Sequence, residues 1–428
     1  MNYYKSLDDA QLAKELSELE ERLAFFKSQN LQLNMARGKP SPEQVDLSNE
    51  LFDALHADSD FIDEGVDVKN YGALKGSPSA LKLFSEMLEV DEDELIILGN
   101  SSLVFEYDVL VRGLIFGVLG EAPQIEDTKR AFLCPSPGYD RHFIMSDQLG
   151  FELIEVEMTD FGPNMDQVEE FVKDPHVKGI WINPKYHNPT GISFSDEVML
   201  RLAQLKPAAQ DFRIYNDNAY IEHHLYPDDQ DHVLNLYQEA KKYGNEDMVY
   251  TFASTSKMTI PGAGVGAFSA SPKNIQAQID LIKSYTINFD KVNQLRHARF
   301  FSDLKGLRAH MMKQAKVLRP KFELTEAIFN EEFAQTDLAH WTKPKGGYFV
   351  SLFLHEPFAA ELVAMAKEYG VVLTAAGSSY PHAKDSHNSH VRICPSYPKL
   401  EELEVALRVV SCVYKYLVAR KVLQNRES

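Results

Sequence analysis

The chain has 428 residues, 44 Lys and Arg against 63 Asp and Glu, and a formal charge of -19. That length implies two or three structural units, and 44% hydrophobic residues can fill a large core without disulfide or metal staples. The acidic excess repels phosphate backbones, which argues against a nucleic acid partner, and no run of about 18 apolar residues suggests a membrane span.

Residues 7–29 predict an amphipathic helix. Leu12, Leu16, Leu19, Leu23 and Phe26 fall four and three apart and stack on one face. The stripe is short for a coiled coil, so docking on its own domain or a partner subunit is expected. The N-terminal stretch as a whole, MNYYKSLDDAQLAKELSELEERLAF, is charged throughout, with no apolar core of a signal peptide. LNMARGKPSPEQVDLS follows and reads as an extended connector.

From about residue 50 to 300, apolar runs alternate with helical stretches. The clearest strands are LIILG (95–99), AFLC (131–134), GIWIN (179–183), RIYND (213–217) and VYTFAS (249–254). This is the pattern of an α/β protein with a mostly parallel sheet between helices. Segment 290–330 is helical and charged and can bridge two domains. GGYFVSLFL, VVLTAAG and HVRICP read as strands, and a helix from Lys399 closes the chain, giving a smaller α+β unit. Cys134, Cys394 and Cys412 are widely spaced and form no CxxC or Cys/His cluster. No zinc site is expected, and a reducing, cytoplasmic setting is.

In open α/β sheets, ligands gather at the carboxyl ends of the strands. Five residue groups stand at such ends. Asn100, Ser101 and Ser102 open a helical run and offer an anion nest, or an ordinary N-cap. Tyr139 follows a stiff Pro-Ser-Pro-Gly turn and can stack on a planar ligand or simply pack. Asn188 is pinned before Pro189 and presents its amide in one direction, or belongs only to a turn. Asp217 ends an apolar strand, where a carboxylate needs a cation unless it caps the next turn. Lys257 follows VYTFASTS, where burial depresses an amine and makes it a nucleophile towards carbonyls. A carbonyl-reactive lysine, a buried acid, an aromatic plate, an anion nest and an oriented amide are together the parts that hold pyridoxal 5′-phosphate. His142 and His187 read as packing or hydrogen-bonding residues.

From about Leu33 to Pro395 the chain resembles the fold-type I pyridoxal-phosphate aminotransferases, class I/II. The motifs are Asn188–Gly191 (N-P-T-G), Asp217–Tyr220 (D-x-A-Y), Ser254–Lys257 (S-x-S-K), Arg392 in HVRICPS, and Tyr71 with Gly76 in YGALKGS. The resemblance implies a large domain with a seven-stranded, mostly parallel sheet at residues 51–300. It also implies a C-terminal small domain at 301–428, joined by the N-terminal helix and connector at 1–50. Carried over, Lys257 forms the Schiff base and shuttles protons, Asp217 keeps the pyridine nitrogen protonated, and Tyr220 and Asn188 hold the phenolic oxygen. Tyr139 stacks on the ring. Asn100, Ser101, Ser102 and Ser254 bind the phosphate, with Tyr71 reaching it from the neighbouring subunit of a homodimer. Arg392 holds the substrate α-carboxylate, and Gly38 lies where the substrate arm passes the backbone.

One departure stands out. The family's G-x-R-x-G, whose Arg grips the phosphate, is here Gly262-Ala263-Gly264-Val265-Gly266, with Gly264 in the Arg position. This resembles a divergent subgroup of bacterial aspartate aminotransferases and MocR-labelled proteins, without the DNA-binding domain of the latter. The implied reaction is transamination of aspartate with 2-oxoglutarate, on amino-acid and 2-oxo-acid substrates. A dicarboxylate needs a second cation, for which Arg37, Lys39, Arg141 and Lys291 are candidates. The alternatives are an aromatic or neutral transaminase, a β-eliminating lyase of the same fold, and a non-catalytic regulator that binds the cofactor.

Overall fold

In the computed structural model, which describes residues 3–427, an eight-stranded sheet forms the centre of the α/β unit. Its strands in chain order are β1 (Leu95–Ile97), β2 (Ala131–Ser136), β3 (Glu152–Thr159), β4 (Gly162–Pro163), β5 (Val177–Ile182), β6 (Arg213–Asp217), β7 (Val249–Ser254) and β8 (Gly266–Ser269). The order across the sheet is β1-β8-β7-β6-β5-β2-β3-β4. The neighbours from β7 through β3 pair in parallel, whereas β8 runs antiparallel to both β7 and β1. The eighth strand, β4, has two residues and only extends the edge. All five strands read from the sequence are present, and β2, β5, β6 and β7 are buried along their whole length. Such strands are mostly apolar because helices cover both faces. The polar turns after β1, β2, β5, β6 and β7 therefore share one edge.

The helix expected over 7–29 is α1 (Asp9–Ser28), started by a capping box between Asp8 and Gln11. Its five-residue stripe is buried, and its core is shared with the C-terminal helix Leu400–Glu427. Burying these large apolar side chains stabilises the junction by about 1.5–3 kcal/mol each. The connector is more structured than its composition suggests. Leu33–Asn34 pairs in parallel with Val371–Val372, and Pro42–Asp46 forms a short helix capped by Ser41 and Gln44. VVLTAAG thus joins the connector and not the small antiparallel sheet, whose strands are Ala339–Trp341, Val350–Leu354 and His390–Ile393. The charged bridge is two helices, Lys291–Phe301 and the thirty-residue Leu304–Phe333. The latter places Leu307 and Met311 in the core of the large sheet, and Leu318, Phe322 and Phe329 in the core of the small one.

Candidate active site

The shared strand edge opens into a cavity of about 290 Å³. Lys257 lies half-buried at it, with Nζ 4.9 Å from the centre of the Tyr220 ring. The backbone of the lysine turn is clamped from behind. Tyr348 donates its hydroxyl to the Lys257 carbonyl (3.1 Å), and Gln314 and His310 reach the Met258 carbonyl at 3.2 and 2.8 Å. Burial pushes the Lys257 amine below its ordinary range, against the opposing pull of Asp217 and Glu106.

Asp217 is 5% exposed at the tip of β6, and its Oδ1 has no hydrogen-bond partner. A buried, unpartnered carboxylate oxygen facing a cavity calls for a cationic or N–H group there. Its Oδ2 lies 3.4 Å from His142 Nε2. His142 comes from the helix α2 (Asp140–Gln148) and stacks on Trp181 of β5, with ring centres 4.3 Å apart and planes 9° apart. Trp181 Nε1 in turn donates to Ser146 on the same helix (2.8 Å). Tyr139 stands just before that helix, edge-on to His142 at 4.9 Å. Burial, and then Asp217, hold its phenol protonated.

Asn188 and Asp217 are tied together by Asn183, a residue the sequence reading passed over. Asn183 Nδ2 donates to the Asp217 carbonyl (2.5 Å), and its Oδ1 accepts from the Asn188 amide N–H (2.9 Å). Arg392 is 8% exposed, and its guanidinium carbon lies 5.1 Å from the centre of the Phe349 ring. It donates to Asn188 Oδ1 (3.3 Å), to Thr374 Oγ1 (3.1 Å from Nη2) and to the Ala36 carbonyl (3.3 Å). Thr374 is a second residue passed over, as a plain strand residue of VVLTAAG. Gly38 does mark a close approach: a Cβ there would stand 2.3 Å from Phe349 Cζ.

The small-polar turn after β1 leads into the fifteen-residue helix Ser102–Phe116. Ser101 at its N-cap makes no side-chain capping bond, so the first N–H groups keep their positive end unfilled by it. Ser254, 6% exposed, ends β7, and Ser256 Oγ donates to the Asn100 carbonyl (2.7 Å). Gly264 explains its own identity. A Cβ on it would stand 2.7 Å from both the Asn100 carbonyl and Ser256 Oγ, so the segment leading into β8 can approach this turn only as glycine. Gly264→Ala should therefore lower stability by about 1–3 kcal/mol, read as the shift in a urea unfolding midpoint. An unchanged midpoint would show that the turn yields freely.

Arg37, Lys39 and Arg141 line the cavity with Arg392, whereas Lys291 does not. Lys291 is buried, and its Nζ is occupied by the carbonyls of Asn70 (2.5 Å) and Gly72 (2.7 Å). It fastens the turn that carries Tyr71 and lies outside the cavity of its own chain. Tyr71 itself is 79% exposed. His187 hydrogen-bonds Thr190 (2.9 Å), as a packing residue would. A larger cavity, about 630 Å³, contains Asn216 but neither Lys257 nor Asp217. Among the described residues no helix is long and apolar enough to cross a membrane.

Residues 7–426 match the family model described as aspartate amino-transferase. An aspartate aminotransferase of Corynebacterium glutamicum is 41% identical over 92% of this chain and 92% of its own length. The crystal structure of an aspartate transaminase from that organism superimposes with a TM-score of 0.94 at 39% identity, covering 98% of this chain and 99% of the other. An HTH-type transcriptional regulator of Staphylococcus aureus is 27% identical over only 51% of this chain and 46% of its own. With its motifs gathered at one strand edge and a family match along nearly its whole length, the chain belongs to the aspartate aminotransferase family and is an aminotransferase.

Proposed function

We propose that the protein transfers the amino group of aspartate to 2-oxoglutarate, using pyridoxal 5′-phosphate held at Lys257. The observation that carries the substrate is the charge of the cavity. Arg37, Lys39, Arg141 and Arg392 line it beside Lys257, against only Asp140 and Asp217, so four cations face two acids in a chain that is acidic overall. That excess fits an amino acid with two carboxylates better than a neutral or aromatic one.

The residues present fit the cofactor. The unpartnered Asp217 Oδ1, the depressed Lys257 amine and the free helix N-terminus at Ser101 supply a partner for a ring nitrogen, a nucleophile for an aldehyde and a seat for a phosphate. Tyr139 would stack on the ring, Asn188 and Tyr220 would hold its phenolic oxygen, and Asn100, Ser101, Ser102 and Ser254 would hold the phosphate. When bound, pyridoxal phosphate supplies an aldehyde for the amine and a protonated ring that draws electrons from the substrate Cα.

The chain's own groups do the rest. Arg392, its fork already oriented by Asn188 and Thr374, receives the α-carboxylate. Gly38 and Phe349 shape the wall beside it. Lys257 Nζ is neutral for a larger share of the time than an exposed lysine, so it can accept the Cα proton and return it to the cofactor side. The side chains of Arg37 and Arg141 make no hydrogen bond or ion pair among the described residues and are the free cations for the side-chain carboxylate. A homodimer fits the exposed Tyr71 on its fastened turn, reaching the phosphate of a second copy. Three free, buried cysteines fit a reducing cytoplasm.

Incubation with aspartate and 2-oxoglutarate tests the reading, with glutamate and oxaloacetate expected. Absence of glutamate, with pyruvate and ammonia released from cysteine-like substrates, would make the protein a lyase instead. Arg37→Ala and Arg141→Ala should each cut kcat/KM for aspartate, and the larger loss should be about 10- to 100-fold, the worth of one charged hydrogen bond. Alanine as amino donor should be little affected. An equal fall for both donors would remove these arginines from side-chain selection.

A further inference from the structure

Behind Asp217 stands a second buried acid for which the reaction above has no use. Glu106 lies on the helix Ser102–Phe116, is 0% exposed, and neither carboxylate oxygen makes a well-formed hydrogen bond. Its Oε2 is 3.4 Å from His142 Nε2, the same distance that separates this nitrogen from Asp217 Oδ2. A single imidazole N–H therefore faces two carboxylates, all of them out of water. An unpaired carboxylate in such a place costs several kcal/mol, so its presence needs a reason.

Charge balance provides one. A charged His142 beside Asp217 alone would neutralise it and leave nothing for a ring nitrogen. With Glu106 on the other side, Glu106 and His142 hold one proton between them and carry no net charge, and Asp217 keeps its own. The surrounding groups agree. His142 is pushed up to about 9, its two carboxylates outweighing burial. Burial and Asp217 push Glu106 up, while His142 and the Ser102 hydroxyl pull it down. Tyr139 stays protonated, His187 is held neutral by burial, and Lys257 feels Glu106 as well as Asp217. On its own helix His142 is flanked by Asp140 and Arg141.

We propose that Glu106 is a positioning residue that balances the charge on His142, so that Asp217 can direct its full negative charge at the ring nitrogen of the cofactor. The proposal rests on the cofactor reading given above. Removing one buried negative charge should make nearby cations release their protons more easily.

The test is a pH titration of the visible absorbance of the protein loaded with pyridoxal phosphate, for wild type, Glu106→Gln and Glu106→Met. Both variants should titrate about one pH unit lower than wild type. The pH dependence of pyridoxal phosphate capture by the stripped protein should move the same way. Met keeps the length without a buried amide, so it serves if the Gln variant does not fold. His142→Asn should remove the effect, the double variant with Glu106→Gln titrating where His142→Asn alone does. Midpoints of both variants within about 0.2 unit of wild type, with capture intact, would overturn the role of Glu106 and leave the cofactor reading standing. A wild-type protein that captures no pyridoxal phosphate would overturn both.

Discussion

Lys257→Ala is expected to capture no pyridoxal phosphate as a visible chromophore and to turn over aspartate at least about 10⁴-fold more slowly than wild type. The lysine lines the cavity of about 290 Å³, and its charge is depressed by enclosure, so its loss removes the nucleophile that the cavity holds. The fold should survive. The turn around Lys257 is fastened through its carbonyl by Tyr348, and through the Met258 carbonyl by His310 and Gln314, none of which touches the missing amine. Absorbance and glutamate formation are read on the same preparation, with near-ultraviolet circular dichroism as the control for folding. The pH dependence adds a second check with a fixed sign. Because the Lys257 pKa is lowered, capture by the stripped wild-type protein should rise with pH and level off below the range of an exposed lysine. Glutamate formation that survives in Lys257→Ala would remove the amine from the reaction altogether.

How far the sequence reaches depends on what each residue interacts with. Strands such as AFLC and VYTFAS are legible because a parallel strand buried on both faces is dominated by apolar side chains. The residues at their tips are legible because a lysine or aspartate there contradicts its surroundings. Less visible are elements whose partners lie far along the chain. Leu33–Asn34 becomes a strand only by pairing with Val371–Val372, and no local pattern announces it. Gly266–Ser269 is short, and its antiparallel course depends on β1 and β7 accepting it between them. Lys291 shows the same limit at the level of function. Its position in the chain suggests a substrate-facing cation, but the carbonyls of Asn70 and Gly72 claim two of its three donors. Glu106 did carry a signal, an acid inside LVFEYDVL four residues after Ser102, which places it on the inner face of the helix. Its meaning appears only when His142 and Asp217, from two other elements, arrive beside it.

Asp217→Asn should separate binding of the cofactor from its activation. The amide fills the same space at the tip of β6 and keeps the backbone bond from Asn183, so the cavity should retain its shape. Lys257 is untouched, and the visible chromophore should still form. What disappears is the negative charge proposed to keep a proton on the ring nitrogen, and turnover should fall by about 10²- to 10³-fold, the order for losing one preorganised electrostatic partner. Because Asp217 is the largest influence raising the Lys257 pKa, the midpoint for capture by the stripped protein should move further down, by more than in Glu106→Gln. His142 Nε2 would then keep Glu106 but lose its other ion-pair partner, and its pKa should fall from about 9. These outcomes hang together because, with the cofactor held as proposed, one carboxylate would act on the ring, the lysine and the histidine at once. A variant with the chromophore intact and turnover within about threefold of wild type, well short of the loss expected for such a partner, would mean that the ring nitrogen finds its charge elsewhere. In that case the unpartnered Oδ1 at the cavity wall would need another explanation.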